Sequence, residues 1–175
     1  MPYLVAGVVF VGLLCAFDLI LTLAVVRRLR EHAALLEGAH APPPFTPIGT
    51  ALPEFAGTAV DGTAVDRAFF AEPTVVALFS TACASCRERL PEFTERIRHL
   101  DARRVLAVIE GDRDGARPYV DALSALATVV VEPADGPVHT AFGRPATPSF
   151  YVVGERAAVT SATLLPSGLP VPAGA

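Results

Sequence analysis

Two cysteines separated by two residues, Cys83-Ala84-Ser85-Cys86, are the residues of this chain whose type and spacing offer chemistry most directly. They follow Thr74 to Phe79, a short apolar run rich in β-branched residues, as in a strand buried on both faces. They open a segment, Ser85 to Leu100, in which Leu90, Phe93, Ile97 and Leu100 recur at helical spacing. A cysteine at a helix start lies among unpaired backbone N–H groups and the positive end of the macrodipole. Both favour the thiolate and lower its pKa. Cys83 is therefore read as the nucleophile. Cys86, one turn further on, is read as the resolving thiol, which attacks a mixed disulfide and releases the partner.

Other uses of the pair carry less weight. Structural zinc wants four ligands. The third cysteine, Cys15, lies in an apolar N-terminal run, and His32, His40, His99 and His139 show no ligand spacing. A purely structural disulfide across so small a loop gains little chain entropy. No metal and no cofactor beyond a redox-active Cys83–Cys86 disulfide is expected.

The elements around the pair read as an α/β core. Leu52 to Phe55 and Thr58 to Val65 read as short strands around Asp61-Gly62, a hairpin dipeptide. Val105 to Ile109 is a second buried strand, and Asp114 to Leu126 a helix interrupted early by Pro118. Thr128 to Val131 is another strand and Pro137 to Phe142 a helical turn. Ser149 to Val153 and Ala157 to Thr160 close the pattern as two strands around Gly154-Glu155.

Composition adds a membrane. Apolar residues make up 52% of the 175 residues and charged ones 18%, and the excess collects between Tyr3 and Val26, where Asp18 is the single charge. About 20 apolar residues span a bilayer core. No basic residue precedes the run, and Arg27, Arg28 and Arg30 follow it in place of a cleavage site, so an uncleaved anchor is expected rather than a signal peptide. The organisation is then an anchor over 3–26, a stem and Pro-rich linker over 27–46 that includes Pro42-Pro43-Pro44, a folded domain over 47–162, and an irregular tail over 163–175. Asp18 in the span reads equally as a contact with a membrane partner or as one tolerated charge. Cys15 reads as a small apolar residue. A net charge of -4 without a basic stripe excludes nucleic acid.

The segment Thr74 to Pro91, with Cys83-Ala84-Ser85-Cys86 in it, resembles the active-site region of membrane-anchored thioredoxin-like thiol–disulfide oxidoreductases of the TlpA/ResA/MauD type. Pro47-Ile48-Gly49, Leu52 to Phe55 and Asp61-Gly62 are similar to that group's N-terminal hairpin, and Ala146-Thr147-Pro148-Ser149 to its cis-proline loop. The resemblance covers roughly residues 45 to 160. It implies a thioredoxin-like α/β fold, a central mixed sheet with flanking helices and an N-terminal hairpin, preceded by one transmembrane helix. It also implies substrate binding at Thr147 and a cis Pro148, protein thiol or disulfide clients, and a small integral membrane redox partner of the MauE/DoxX type. The chain departs from the group in several places. Ala82 stands where Trp is usual, Ala84-Ser85 where Pro is common, and Arg89 where Glu is frequent. Ala77 occupies the place of thioredoxin's buried acid, which leaves Cys86 without a named proton acceptor.

The expected function is thiol–disulfide exchange on protein cysteines, as reductase or oxidase, in the maturation of exported proteins. The alternatives are a thiol peroxidase, whose Pro-x-x-x-Thr-x-x-Cys segment is missing, and a metal-delivery module, which on this fold uses a wider cysteine spacing. Arg27, Arg28 and Arg30 favour a cytoplasmic domain. Disulfide chemistry and the resemblance favour the outer face, and an extracytoplasmic domain is the expectation. Arg89 reads as part of a solvated helix face. Arg87 reads either so or as a thiolate neighbour.

Overall fold

The computed structural model describes residues 12, 15, 17–19, 21, 22 and 45–170. The chain divides into two units at Ala41/Pro42. In the first, the described residues are helical, with Phe17, Leu19 and Leu21 exposed. Among the described residues no helix is long and apolar enough to cross a membrane. Most of the anchor expected over 3–26, and most of the linker over 27–46, lies outside the described residues.

The second unit is built on a five-stranded mixed sheet. Its strands are β3 (Thr74–Ser80), β4 (Val105–Glu110), β5 (Thr128–Glu132), β6 (Ser149–Gly154) and β7 (Ala158–Thr163), in the order β5-β4-β3-β6-β7. The first three run parallel, and β6 and β7 join antiparallel beside β3. Every residue of β3 is buried, as its apolar run required. Alternation divides the sheet's side chains between two cores. Val75, Ala77 and Phe79 face α1 (Ala84–Ile97) and α2 (Arg113–Leu123), with Phe93, Ile97, Tyr119 and Leu123. Val76 and Leu78 face the opposite layer, which holds α3 (Pro137–Ala141) and the hairpin of β1 (Ala56–Thr58) and β2 (Ala64–Asp66). The α/β core expected from the sequence is therefore present.

The differences have physical reasons. Leu52 to Phe55 is not a strand. Leu52 is instead a buried plug whose N–H donates to Ala157 O at 2.9 Å, and the hairpin's first strand starts at Ala56. Pro118 does not interrupt α2. It is the sixth residue, where the cost is one hydrogen bond to the Asp114 carbonyl, and the helix starts one residue earlier than expected because Asp112 caps it, accepting the Gly115 N–H at 2.6 Å. The folded unit also reaches beyond 47–162. Thr46 is buried, its N–H donating to the Tyr151 hydroxyl at 3.3 Å. At the other end Leu169, in the stretch read as an irregular tail, is fully buried in the core beside α1. Arg96 donates to Leu169 O at 2.6 Å, and the Ser167 N–H to Glu92 Oε1 at 3.2 Å.

Beneath α3 a carboxylate acts as the cap. Glu132 is buried and accepts the N–H groups of Val138 and His139 at 3.1 and 2.5 Å. Burial pushes its carboxyl up, against the lowering effect of those donors. Gly136 makes room for it, because a Cβ there would lie 2.2 Å from the carboxylate carbon.

Because Leu169 fills the core against the active-site helix, Leu169→Ala should destabilise the folded unit by roughly 2–5 kcal/mol, the range for Leu-to-Ala changes in cores. A shift of the urea midpoint reports it, and an unchanged midpoint would mean that the segment packs only loosely.

Candidate active site

β3 ends at Ser80, and a tight turn through Thr81 and Ala82 delivers Cys83 to the start of α1. The turn is held by the Thr81 N–H donating to Glu110 O at 2.9 Å and the Cys83 N–H donating to Ser80 O at 3.2 Å. Gly111 gives Thr81 its place: it has φ of +149°, and a Cβ there would meet Thr81 Oγ1 at 2.2 Å.

Cys83 is the N-cap of α1, with extended φ/ψ of -95° and 115°. Its sulfur accepts the Cys86 N–H at 3.3 Å and lies 3.1 Å from the Ser85 hydroxyl. The thiol donates to the carbonyl of Thr147 at 3.3 Å. The Thr147–Pro148 peptide is cis. The structure thus brings together all four residues singled out from the sequence, Cys83 and Cys86 at the start of α1, Thr147 and Pro148 on the loop before β6. Cys86 is fully buried, and the Ser80 N–H donates to its sulfur at 3.4 Å. Both cysteines are present as free thiols, and Cys83 is half-buried.

The two thiols differ sharply in acidity. Partial burial pulls the Cys83 thiol upward. Hydrogen bonds from the Cys86 thiol and N–H, from the Ser85 hydroxyl and from the Thr147 side chain outweigh that pull and hold it below the ordinary thiol range. No acidic residue stands in the first turn of α1 to oppose the charge. Burial, followed by the neighbouring Cys83, pushes Cys86 up to about 12. One thiol is prepared to be a nucleophile at neutral pH, and the other is protected until the first has reacted.

Several neighbours were not read from the sequence. Ser85 was visible only as an unusual residue between the cysteines, although the second residue of a helix lies next to its N-cap. Ser80 and Tyr119 gave no signal. The Tyr119 hydroxyl donates to Ser80 O at 3.5 Å, behind the N–H that faces Cys86, and burial, then the charge of Cys86, raises the phenol. Arg87 places its guanidinium on Thr81 O at 3.4 Å, in the turn that leads to Cys83. Arg89 pairs with Glu92 at 3.2 Å along the helix face. Among the described residues no three His, Cys, Asp or Glu side chains converge as metal ligands.

The acidity difference sets a pH dependence. Alkylation needs the thiolate, so Cys83 should react with iodoacetamide with a midpoint below that of an ordinary cysteine, and Cys86 should stay protected across the neutral range. Peptide mapping after timed alkylation reads both, and equal rates at pH 7 would contradict the geometry.

No family model matches the sequence, and no curated protein matches it. Solved structures do resemble it. The thioredoxin domain of a thiol-disulfide oxidoreductase from Bacteroides vulgatus superposes with a TM-score of 0.56 at 14% identity, covering 68% of this chain and 89% of that one. A thiol:disulfide interchange protein DsbE, so described, from Chlorobium tepidum gives 0.55 at 19%, covering 67% and 85%. A secreted disulfide oxidoreductase of Mycobacterium tuberculosis gives 0.52 at 16%, covering 67% and 87%. With the sheet order and the cysteine-capped helix, these likenesses show that the second unit of this chain has the thioredoxin-like fold.

Proposed function

We propose that this protein is a thiol–disulfide oxidoreductase that exchanges disulfides with protein cysteines through Cys83 and Cys86. The observation that carries the reading is the pairing of a half-exposed, acidified thiol at a helix N-terminus with a buried, protonated one a single turn away.

In the reducing direction the Cys83 thiolate attacks one sulfur of a client disulfide. A Cys83–client disulfide forms, and the other client sulfur leaves as thiolate. Cys86 then loses its proton and attacks Cys83 Sγ, closing the Cys83–Cys86 bond and expelling the second client thiolate. The client gains two electrons, and its departing sulfurs take up two protons. Thr147, whose carbonyl already accepts from Cys83, and Pro148 form the ledge against which the client strand rests. The reverse sequence oxidises a client dithiol.

The same reading places the domain on a membrane. The run from Tyr3 to Val26 serves as a single anchor, and the exposure of Phe17, Leu19 and Leu21 on its described part supports this. The domain works on the extracytoplasmic side, where client disulfides persist, against the pull of Arg27, Arg28 and Arg30. A small integral membrane protein of the MauE/DoxX type renews its redox state, and Asp18 is its contact.

Cys83→Ser should abolish reduction of insulin by dithiothreitol above the uncatalysed rate. Cys86→Ala should accumulate a covalent client adduct that reductant releases, seen by non-reducing gel and mass spectrometry. Retention of turnover in Cys83→Ser would refute the assignment of the nucleophile.

A further inference from the structure

The exchange scheme leaves one buried phenol unused. Tyr119 shares a face of α2 with Ala116 and Leu123, at spacings of three and four, and that face packs into the core beside β3. Its ring rests on Phe79 with centroids 5.5 Å apart, which carries the hydroxyl past the last apolar residue of the strand. A phenylalanine would make the same ring contact. The hydroxyl is the difference, and a hydroxyl taken out of water costs stability unless it is bonded. Among the described residues its one hydrogen bond goes to Ser80 O, at 3.5 Å. Burial, then the charge of Cys86, raises the phenol, so it keeps its proton across the neutral range and acts as a donor.

Ser80 in turn touches both cysteines. Its carbonyl accepts the Cys83 N–H at 3.2 Å, and its N–H donates to Cys86 Sγ at 3.4 Å. In the second step of exchange Cys86 must carry charge while it attacks Cys83, and an N–H donor is worth more to a charged sulfur than to a neutral one. Ala77, in the same core cluster, offers that charge no polar side chain. Burial holds the Cys86 thiol up at about 12, so its thiolate is a minor species at neutral pH. The rate of the second step is therefore sensitive to how well that charge is held.

We propose that Tyr119 is a positioning residue for the resolving step: its hydroxyl, bonded to Ser80 O, fixes the end of β3 so that the Ser80 N–H stays aimed at the Cys86 sulfur as that sulfur becomes charged. The inference rests on the exchange reading and adds to it a side chain of α2, which touches neither the client nor the reacting sulfurs.

Tyr119→Phe removes the hydroxyl and keeps the ring. The full-length chain carrying Cys15→Ala, reduced and mixed in stopped flow with an equimolar amount of the aromatic disulfide dithionitrobenzoate, reports both steps by absorbance. First the Cys83 thiolate attacks the reagent, forms a Cys83–aryl disulfide and releases one coloured arylthiolate. Then Cys86 gives its proton to the buffer, attacks Cys83 Sγ and expels the other arylthiolate as the Cys83–Cys86 bond closes, so the reagent gains the two electrons that the chain loses. Tyr119→Phe should leave the first release unchanged. It should slow the second about threefold at neutral pH, the factor one weak hydrogen bond supports, and displace its rise with pH upward. Equal second steps in parent and variant would overturn the inference and leave the exchange reading standing. Both steps slowed alike would also overturn it, since the hydroxyl would then serve only the general packing of the turn. Absence of a second release from the parent would overturn the exchange reading and the inference together.

Discussion

A helix start needs acceptors for its free N–H groups, and in α1 one of them is a sulfur. Cys83 Sγ takes the Cys86 N–H at 3.3 Å, in the place that a serine or aspartate oxygen usually fills. The bond ties backbone geometry to acidity, since the charged sulfur is the better acceptor and the helix is the better capped when the sulfur is charged. Much of the structure serves that contact. β3 must end at Ser80 so that a two-residue turn reaches the cap. Thr81 must be pinned to Glu110, and Gly111 must leave space for it. Phe93 and Ile97 must seat α1 on Val75, Ala77 and Phe79 so that its N-terminus points at the Thr147 loop.

The second thiol depends on the first by exclusion. Because Cys86 lies one turn along a helix whose inner face is core, it is buried wherever Cys83 is exposed. Among the described residues its one backbone donor from outside the helix is the Ser80 N–H at 3.4 Å. Ala77 supplies no carboxylate beneath it. The carboxylates of β4 and β5 sit instead at the far face of the sheet, where Glu110 lies 3.6 Å from His139 and the buried Glu132 caps α3. Among the described residues no carboxylate lies beside Cys86 to take its proton, and in the proposed exchange the departing client thiolate is the acceptor.

The sheet and α1 were legible because burial on both faces and helical spacing leave marks in consecutive residues. Thr74 to Phe79 reads as a covered strand from its β-branched apolar run, and a cysteine pair between that run and a segment of period 3.6 reads as a helix start. What was not legible depended on distant partners. Leu52 reads as a strand residue until Ala157 is known to hold its N–H, and Leu169 reads as tail until α1 offers it a pocket. Pro118 reads as a breaker because its tolerance depends on where Asp112 starts the helix. Thr147 and Pro148 became candidates through resemblance, since nothing local in Ala146-Thr147-Pro148 announces a neighbour 64 residues away. Tyr119 and Ser80 meet only across α2 and β3, and no periodicity encodes that.

The central claim is that Cys83 and Cys86 form one reversible two-electron couple. Equilibrating the chain in dithiothreitol or glutathione buffers of graded ratio and counting thiols by mass spectrometry tests it most directly. The account predicts a single transition that removes two thiols together, with a slope of about 30 mV per tenfold change, and that vanishes in Cys83→Ser and Cys86→Ser. A pair that stays reduced across the range, or thiols lost one at a time, would contradict it.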